Sequence, residues 1–478
     1  MSSNNSGVHI LVFPFPAQGH MLALLDLAHQ LSLRALTITI LVTPRNLPIL
    51  SPLLSANPSI QTLVFPFPSD PSIPPGVENL KDLGNHGNMP FIAALSRLQD
   101  PIIQWFKSHS NPPVALLSDS FLGWTHHLAD QLGIPRIAFY SHGALAFAVF
   151  EHLWANSEAI KPGIEMKFQD LPGAPSFTWG QLPSLFRGYM ESVCRNDRTS
   201  VDLDLIKASM IANGLSWASV FNSFEDLEDV FLEYLRKKMG HPRVYSVGPI
   251  NLVGGSEKLR VGDEKCESND GVFDWLDQCE DGSVLYVCFG SQKFLKKAQM
   301  EALAIGLERS GVRFIWVVKH LTAQQVEDGY GSVPNGFEGR VMDRGFIIDG
   351  WAPQTSILSH RAVSGFLSHC GWNSVLEATA AGVMILGWPM EADQFLNARL
   401  LVEYKGAAVL VCEGGDTVPD ATELARKIAE SMHGDAVEGV RANELRNKAL
   451  EAIKVGGSST RDLDELVQEL TQLKVTNA

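Results

Sequence analysis

Residues 351–394 have the sequence WAPQTSILSHRAVSGFLSHCGWNSVLEATAAGVMILGWPMEADQ, which concentrates aromatic, histidine, amide, hydroxyl and carboxylate side chains. The stretch contains one arginine, Arg361, and no lysine. Its apolar runs at 362–367 and 383–386 read as buried strands, and the segments between them have helical spacing. Because ligands bind at the carboxyl ends of strands in such sheets, the stretch predicts a binding site for a small molecule.

The same alternation of strands and helices extends over the rest of the chain and indicates an α/β fold with parallel, doubly wound sheets. Residues 251–270 interrupt it, because they are rich in Gly, Ser and charged residues and have no periodicity. We therefore expect an N-terminal domain at 1–250, a linker at 251–270 and a C-terminal domain at 271–458. A last amphipathic helix, within 459–478, is predicted to return to the N-terminal domain.

Length and composition exclude several classes of protein. A chain of 478 residues is too long to form a single hydrophobic core, and its length fits two domains. The formal charge of −15 argues against nucleic acid or an anionic membrane as a partner. No apolar run approaches the ~18 residues of a membrane span, and the six scattered cysteines suit reduced thiols. We expect a cytoplasmic, monomeric protein without a metal or a cofactor.

The helix predicted to begin near Ser374 follows the turn from His369 to Asn373. Backbone amides at a helix start favour an anion, and they suit a diphosphate where no lysine is local. The alternative is that Asn373 or Ser374 only caps the helix, with Glu377 completing a capping box.

Two further positions lie where predicted strands end. Trp351 can offer its indole face to a nucleobase, or it can be a core residue with an exposed edge. Asp393 and Gln394 suit the hydroxyls of a sugar, although Asp393 also fits the N-cap of a following helix.

The ordered set W-x-P-Q…H…G-x-F…HCGWNS…E…G-V…WP…DQ resembles the signature of plant family-one UDP-glycosyltransferases. These enzymes have the GT-B fold, in which two Rossmann-like domains face each other across a cleft. The resemblance implies a UDP-sugar co-substrate and the following donor-binding residues: Ser291, Trp351, Ala352, Gln354, His369, Trp372, Asn373, Ser374, Glu377, Asp393 and Gln394.

The family also implies a role for most of these side chains. Trp351 would stack on uracil, and Gln354 and Glu377 would hold the ribose. The residues that would meet the diphosphate are His369, Asn373, Ser374 and Ser291, and those that would contact the sugar are Trp372, Asp393 and Gln394. The terminal glutamine favours UDP-glucose, but Glu391 stands where the family has a small residue, so UDP-xylose, UDP-rhamnose or another UDP-sugar is the alternative.

His20, in the sequence FPAQGH after the first strand, is the predicted catalytic base. Taken alone, a histidine at a strand–helix turn is more often a cap or a surface residue than a catalytic base. The resemblance implies that His20 deprotonates the acceptor and that Asp119, in LLSDSF, orients the imidazole and stabilises its charge. The implied reaction is a metal-independent displacement that inverts the anomeric carbon. The pairs Asp202/Asp204 and Asp462/Asp464 have a metal–diphosphate spacing, but we interpret them as solvated helix faces.

The expected acceptor is a small phenolic or flavonoid molecule that offers a hydroxyl or carboxyl group. The candidate acceptor residues lie in first-domain loops, and core packing explains most of them equally well: Phe15, Ser141, His142, Phe147, Phe177, Trp179 and Phe186. A nicotinamide dehydrogenase is excluded, because Pro-Ala-Gln-Gly-His stands where Gly-x-Gly-x-x-Gly is required. A non-catalytic protein that binds UDP-sugars or phenols remains the alternative function.

Overall fold

A computed structural model of the protein describes residues 7–83, 87–195, 202–253 and 271–476, with the side chains of 474–476 excepted. The chain divides into two compact units, of which the first comprises Met1–Gly262 and Glu451–Ala478 and the second Asp263–Leu450. The predicted linker lies, from residue 254 onward, outside the described residues.

The first unit contains a parallel sheet covered by helices. Its strands are β1 His9–Phe13, β2 Thr37–Val42, β3 Gln61–Val64, β4 Ala115–Asp119, β5 Arg136–Tyr140, β6 Met166–Lys167, β7 Ser176–Phe177, β8 Ala218–Phe221 and β9 Val244–Ser246. The helices between them are α1 Gln18–Leu33, α2 Ser51–Ala56, α3 Asn88–Ser96, α4 Gln99–Ser108, α5 Thr125–Leu132, α6 Ala144–Ala155, α7 Ser184–Arg195, α8 Leu203–Ala212 and α9 Glu225–Met239. Seven strands form the sheet in the order β3-β2-β1-β4-β5-β8-β9, and β6 pairs with β7 separately.

The strand order of this sheet reverses between β1 and β4. All residues of β1, β4 and β5 are buried, as expected for parallel strands with helices on both faces. Phe13 pairs in register with Ser118, and Asp119 pairs with Phe139. The register therefore brings the carboxyl ends of the three strands together, at the point where such sheets bind ligands.

The second unit has a parallel sheet of six strands: β10 Val284–Cys288, β11 Arg313–Val318, β12 Gly345–Asp349, β13 Val363–Ser368, β14 Met384–Gly387 and β15 Ala408–Leu410. The helices of this region are α10 Val272–Asp277, α11 Lys297–Ser310, α12 Ala323–Glu327, α13 Phe337–Val341, α14 Gln354–Leu358, α15 Trp372–Ala381, α16 Gln394–Arg399, α17 Ala421–Ser431 and α18 Val437–Ile453. The strand order is β12-β11-β10-β13-β14-β15, so it reverses between β10 and β13. Cys288 pairs with Ser368, which places the turns after these two strands side by side.

The last helix, α19 Ser458–Thr476, belongs to the first unit. Its buried residues Leu463, Leu466 and Leu470 lie in the same core cluster as Tyr245 of β9. The hydroxyl of Ser459 donates to the carbonyl of Gly248 at 2.6 Å, which fixes the start of the helix. The helix is therefore part of the core of the first unit.

The pair Asp462/Asp464 corrects an expectation from the sequence. Asp464 is exposed and pairs with Arg34 at 2.8 Å, as a solvated face requires. Asp462, in contrast, accepts hydrogen bonds from the amide of Ser246 at 2.7 Å and from its hydroxyl at 3.2 Å. The interpretation of Asp462 as a solvated residue is wrong, because this carboxylate attaches α19 to the end of β9.

Asp462→Ala is expected to destabilise the protein by about 1–3 kcal/mol, because it leaves the buried amide of Ser246 without an acceptor. Asp464→Ala is the matched control, since loss of an exposed ion pair costs about 0–1 kcal/mol. Urea unfolding of both variants checks the difference. Equal shifts for the two variants would contradict the assigned role of Asp462.

No helix in the described ranges is both long enough and apolar enough to cross a lipid bilayer.

Candidate active site

His20 lies in the first turn of α1, just after β1. Its Nδ1 is 2.9 Å from Oδ2 of Asp119, the last residue of β4. Oδ1 of the same carboxylate accepts the amide of Phe121 at 2.8 Å. The side chain of Asp119 is fully buried, whereas that of His20 remains 21% exposed. Because Nδ1 faces the carboxylate, proton exchange between His20 and a substrate would involve Nε2.

Two of the predicted acceptor residues contact His20. The ring of Phe15 lies 5.5 Å from the imidazole, centroid to centroid, and the hydroxyl of Ser141 is 3.0 Å from Nδ1. Phe121, which the sequence did not single out, packs closer still, at 4.6 Å. His20 therefore packs against the two phenylalanine rings, and its Nδ1 faces the hydrogen-bonding groups of Asp119 and Ser141.

The other five predicted acceptor residues have aromatic neighbours of their own. His142 packs on Phe150, Phe147 on Tyr140, Phe177 on Phe168, and Trp179 and Phe186 on each other. Phe147, Phe177 and Phe186 are buried. Packing accounts for these three side chains, and their contact with an acceptor stays a prediction.

In the second unit, the residues after β12 and in α15 form one cluster. Trp351 is 43% exposed, and the following Ala352 is buried. Gln354, at the start of α14, donates through Nε2 to Oε2 of Glu377 at 2.6 Å and lies 3.4 Å from Oγ of Ser374. The structure thus groups Gln354, Ser374 and Glu377, three polar side chains that can bind hydroxyls, and leaves the indole of Trp351 partly exposed three residues before Gln354.

His369 follows β13 and lies between two glycines. A Cβ on Gly290 would come within 2.7 Å of the imidazole, and one on Gly371 within 2.6 Å. Gly290 also has a φ of +71°, which favours glycine. The exposed Ser291 follows Gly290, so the turn after β10 passes directly against His369.

The environment of His369 keeps the ring neutral. Burial lowers its pKa to about 4, and the positive charges of Lys319 and Lys293 act in the same direction. Its Nδ1 is buried and has no hydrogen-bond partner among the residues that the structure describes. A neutral imidazole with one N–H to donate can bind a phosphate oxygen without adding a charge of its own.

Lys293 and Lys319 are functional candidates that the sequence analysis missed. Lys319 follows β11, and its Nζ donates to the carbonyl of Lys293 at 2.8 Å and lies 4.6 Å from the ring of Phe294. Burial lowers the pKa of Lys319 to about 8, although Cys288 and Glu391 oppose that shift. The stretch 351–394 contains no lysine, but these two lysines from elsewhere in the second unit bring positive charge to His369. The available signal was a lysine directly after a predicted strand.

The start of α15 differs from the prediction. The helix begins at Trp372, two residues earlier than expected, and Gly371 occupies the N-cap without a side-chain cap. Glu377 binds Gln354 and not the helix start. The capping box of Ser374 and Glu377 is therefore wrong, and the N-cap residue offers no side chain to the amides of the first turn.

The loop before α16 is held by its own side chains. Gln394 is buried, and its Oε1 accepts the amides of Met390 and Glu391, each at 3.0 Å. Asp393 stands at the N-cap position but makes no side-chain cap; its carboxylate accepts Nδ2 of Asn397 at 2.9 Å. Asn397 also donates to the carbonyl of Cys370, which joins this loop to the turn before Trp372.

Within the described ranges, no three or more His, Cys, Asp or Glu side chains are grouped so that they could hold a metal ion.

The chain is similar over nearly its whole length to known glycosyltransferases. Residues 246–428 match the family model described as UDP-glucoronosyl and UDP-glucosyl transferase. UDP-glycosyltransferase 89A2 of Arabidopsis thaliana is 51% identical over 99% of this chain and 98% of its own length. Flavonol 3-O-glucosyltransferase UGT89B1 of the same plant is 48% identical over 97% of this chain and 96% of its own. The crystal structure of A. thaliana UGT89C1 complexed with UDP-L-rhamnose has a TM-score of 0.78 and 40% identity, over 97% of this chain and 99% of that one.

The match to these relatives runs through both units, and it includes the strand ends that carry His20, Asp119 and the 351–394 stretch. The chain belongs to the plant family-one UDP-glycosyltransferases and has their GT-B fold.

Proposed function

We propose that this enzyme transfers glucose from UDP-glucose to a hydroxyl group of a flavonoid or related phenol and forms a β-glycoside without a metal ion. The observation that carries the proposal is the hydrogen bond between His20 and the buried Asp119 at the switch point of the first sheet. A buried carboxylate that fixes the orientation and tautomer of an imidazole is the arrangement of a general base, and it favours catalysis over binding alone.

In the proposed reaction, Nε2 of His20 takes the proton of the acceptor hydroxyl as its oxygen attacks the anomeric carbon. The bond from that carbon to the diphosphate oxygen breaks, and UDP leaves with the electron pair. Because the attack comes from the side opposite the leaving group, an α-linked donor gives a β-glycoside. Asp119 stabilises the positive charge that develops on the imidazole.

The proposed donor contacts lie in the second unit. Trp351 stacks on uracil, Gln354 and Glu377 bind the ribose, and the diphosphate meets Ser291, His369, Asn373 and Ser374. Lys319, cationic at neutral pH, adds positive charge beside His369. Trp372, Asp393 and Gln394 contact the sugar. Two observations support these donor contacts: Gln354, Ser374 and Glu377 lie together, and His369 is buried and neutral.

The acceptor class rests on Phe15, which lies against His20, and on the flavonol substrate in the name of one relative. An acceptor carboxyl group is the second choice of nucleophile. A screen of UDP-sugars against phenols, with mass detection of the product, tests the whole proposal. Binding of UDP-sugar with no product from any acceptor would overturn it.

Donor choice is tested by Gln394→His. Because Oε1 of Gln394 holds the amides of Met390 and Glu391, the substitution alters both the loop and the proposed sugar contact. We expect the ratio of kcat/KM for UDP-glucose to that for UDP-galactose to fall by about tenfold, the effect of roughly one hydrogen bond. Affinity for UDP should stay unchanged.

The matched control for this experiment is Gln324→His, an exposed glutamine of α12 in the same unit. An unchanged donor ratio in the Gln394 variant would remove Gln394 from the sugar site. UDP-rhamnose belongs in the same series, since one solved relative was complexed with that donor.

A further inference from the structure

Arg136 is a buried cation in the centre of the first sheet. It lies in β5 and is only 2% exposed. Its guanidinium donates to five oxygens: Ser118 Oγ and Thr125 Oγ1 at 2.9 Å, Asn213 Oδ1 at 3.0 Å, Ser216 Oγ at 2.7 Å, and the carbonyl of Asp119 at 3.2 Å. All five acceptors are neutral, so the charge of Arg136 is solvated by dipoles and is not paired directly.

These bonds fasten the segment that carries the catalytic carboxylate. Arg136 holds the carbonyl of Asp119, and Asn213, which Arg136 also binds, donates to the carbonyl of Ser120 at 2.8 Å. The hydroxyl of Thr125 accepts from Arg136 and donates to the carbonyl of Leu122. The end of β4 and the turn after it are thus bound from one side by a single side chain and its partners.

The charge of Arg136 also has a definite counterpart. Burial lowers the pKa of its guanidinium to about 10, so it remains cationic at neutral pH, and Tyr140 and Asp119 oppose the shift. Burial raises the pKa of the Tyr140 phenol, which is therefore neutral under the same conditions. Asp119 is consequently the group that brings negative charge to Arg136, and the same carboxylate faces His20 on its other side.

We propose that Arg136 is a positioning residue for glycosyl transfer, which holds Asp119 in place beside His20 and balances its buried negative charge. The inference rests on the proposed roles of His20 and Asp119. It differs from a purely structural role, because Arg136 then acts on turnover through Asp119 and not only on the stability of the fold.

A double-mutant cycle between Arg136→Met and Asp119→Asn separates these roles. We expect Arg136→Met to lower kcat by about tenfold or more, within the range for coupled neighbours, and to leave KM for the UDP-sugar nearly unchanged. In the Asp119→Asn background the same substitution should change kcat less than about twofold. An equal factor in both backgrounds would overturn the proposal, and so would a loss of thermal stability with kcat unchanged.

Two further variants keep the test decisive. Arg136→Lys retains the positive charge but loses the planar guanidinium, so it should recover part of the kcat that is lost in Arg136→Met. If Arg136→Met does not fold, Arg136→Lys takes its place in the double-mutant cycle. Ser216→Ala removes one Arg136 bond that involves neither Asp119 nor the turn after it, and it should lower the melting temperature without changing the pH profile of kcat/KM. In Arg136→Met the acidic limb of that profile should move to higher pH, because the carboxylate has lost its buried countercharge.

The same experiment distinguishes failure of this inference from failure of the proposed function. If His20→Ala and Asp119→Asn both keep full turnover, the proposed base is wrong. If both lose turnover but Arg136→Met multiplies each loss by the same factor, only the role of Arg136 is wrong.

Discussion

His20→Ala is expected to lower kcat by about 10²–10⁴-fold, the usual contribution of a general base. The acceptor hydroxyl would then have to ionise into solvent before it attacks, and no other group would take over the charge stabilised by Asp119. The dissociation constant of UDP should stay close to that of the parent enzyme, because the proposed donor residues lie in the other unit. Steady-state kinetics and calorimetric titration with UDP measure the two quantities.

The first unit offers a matched control for this substitution. His126 of α5 also pairs with a carboxylate, since its Nε2 lies 3.5 Å from Oδ2 of Asp130, but the side chain of Asp130 is 64% exposed whereas that of Asp119 is buried. His126→Ala should retain nearly all turnover. If His20→Ala kept most of its activity as well, another residue would have to serve as the base.

Asp119→Asn is expected to reduce kcat by about 10²–10⁴-fold, although it changes the shape of the side chain very little. The amide of Phe121 requires an acceptor at Oδ1, so the new NH₂ group would replace Oδ2 and would face Nδ1 of His20. Nδ1 would then have to accept, and the proton of the neutral ring would move to Nε2. A ring protonated at Nε2 cannot take a proton from the acceptor.

This tautomer argument gives Asp119→Asn a signature in addition to lost activity. Nitrogen NMR of labelled histidine should show the proton of His20 moving from Nδ1 to Nε2. A variant that keeps the original tautomer but still loses turnover would show that the carboxylate acts through its charge alone. Undiminished turnover would remove Asp119 from the mechanism.

The strands and their order of appearance could be predicted from the sequence because buried parallel strands are short, apolar runs. The strands predicted at 362–367 and 383–386 lie one residue further along the chain in the structure, at Val363–Ser368 and Met384–Gly387. The start of α15 was placed two residues late, since Ser374 offered a local cap but the chain uses Gly371. Local signals therefore located the strands better than the helix ends that meet the ligand.

Contacts between distant residues could not be predicted in the same way. Glu228 of α9 accepts the amides of Ala144 and Leu145 at 2.8 and 2.9 Å, and so caps α6 from a distance of more than 80 residues in sequence. The sequence around α6 does not indicate that its cap comes from α9, and the sequence around Glu228 does not indicate which helix it caps. Arg136 was missed for the same reason, because the groups that it binds come from β4, α5 and the segment 213–216.

The place of α19 in the core of the first unit has a consequence for how the protein is made. Leu463, Leu466 and Leu470 complete a core whose other members include Ile10 and Val12. During translation those first residues leave the ribosome more than 450 positions ahead of their last partners, whereas domains generally fold in order from the N-terminus. The sheet of the first unit therefore lacks the apolar side chains of α19 until the second unit has been synthesised. The first unit is thus the first to begin synthesis and the last to have its core completed.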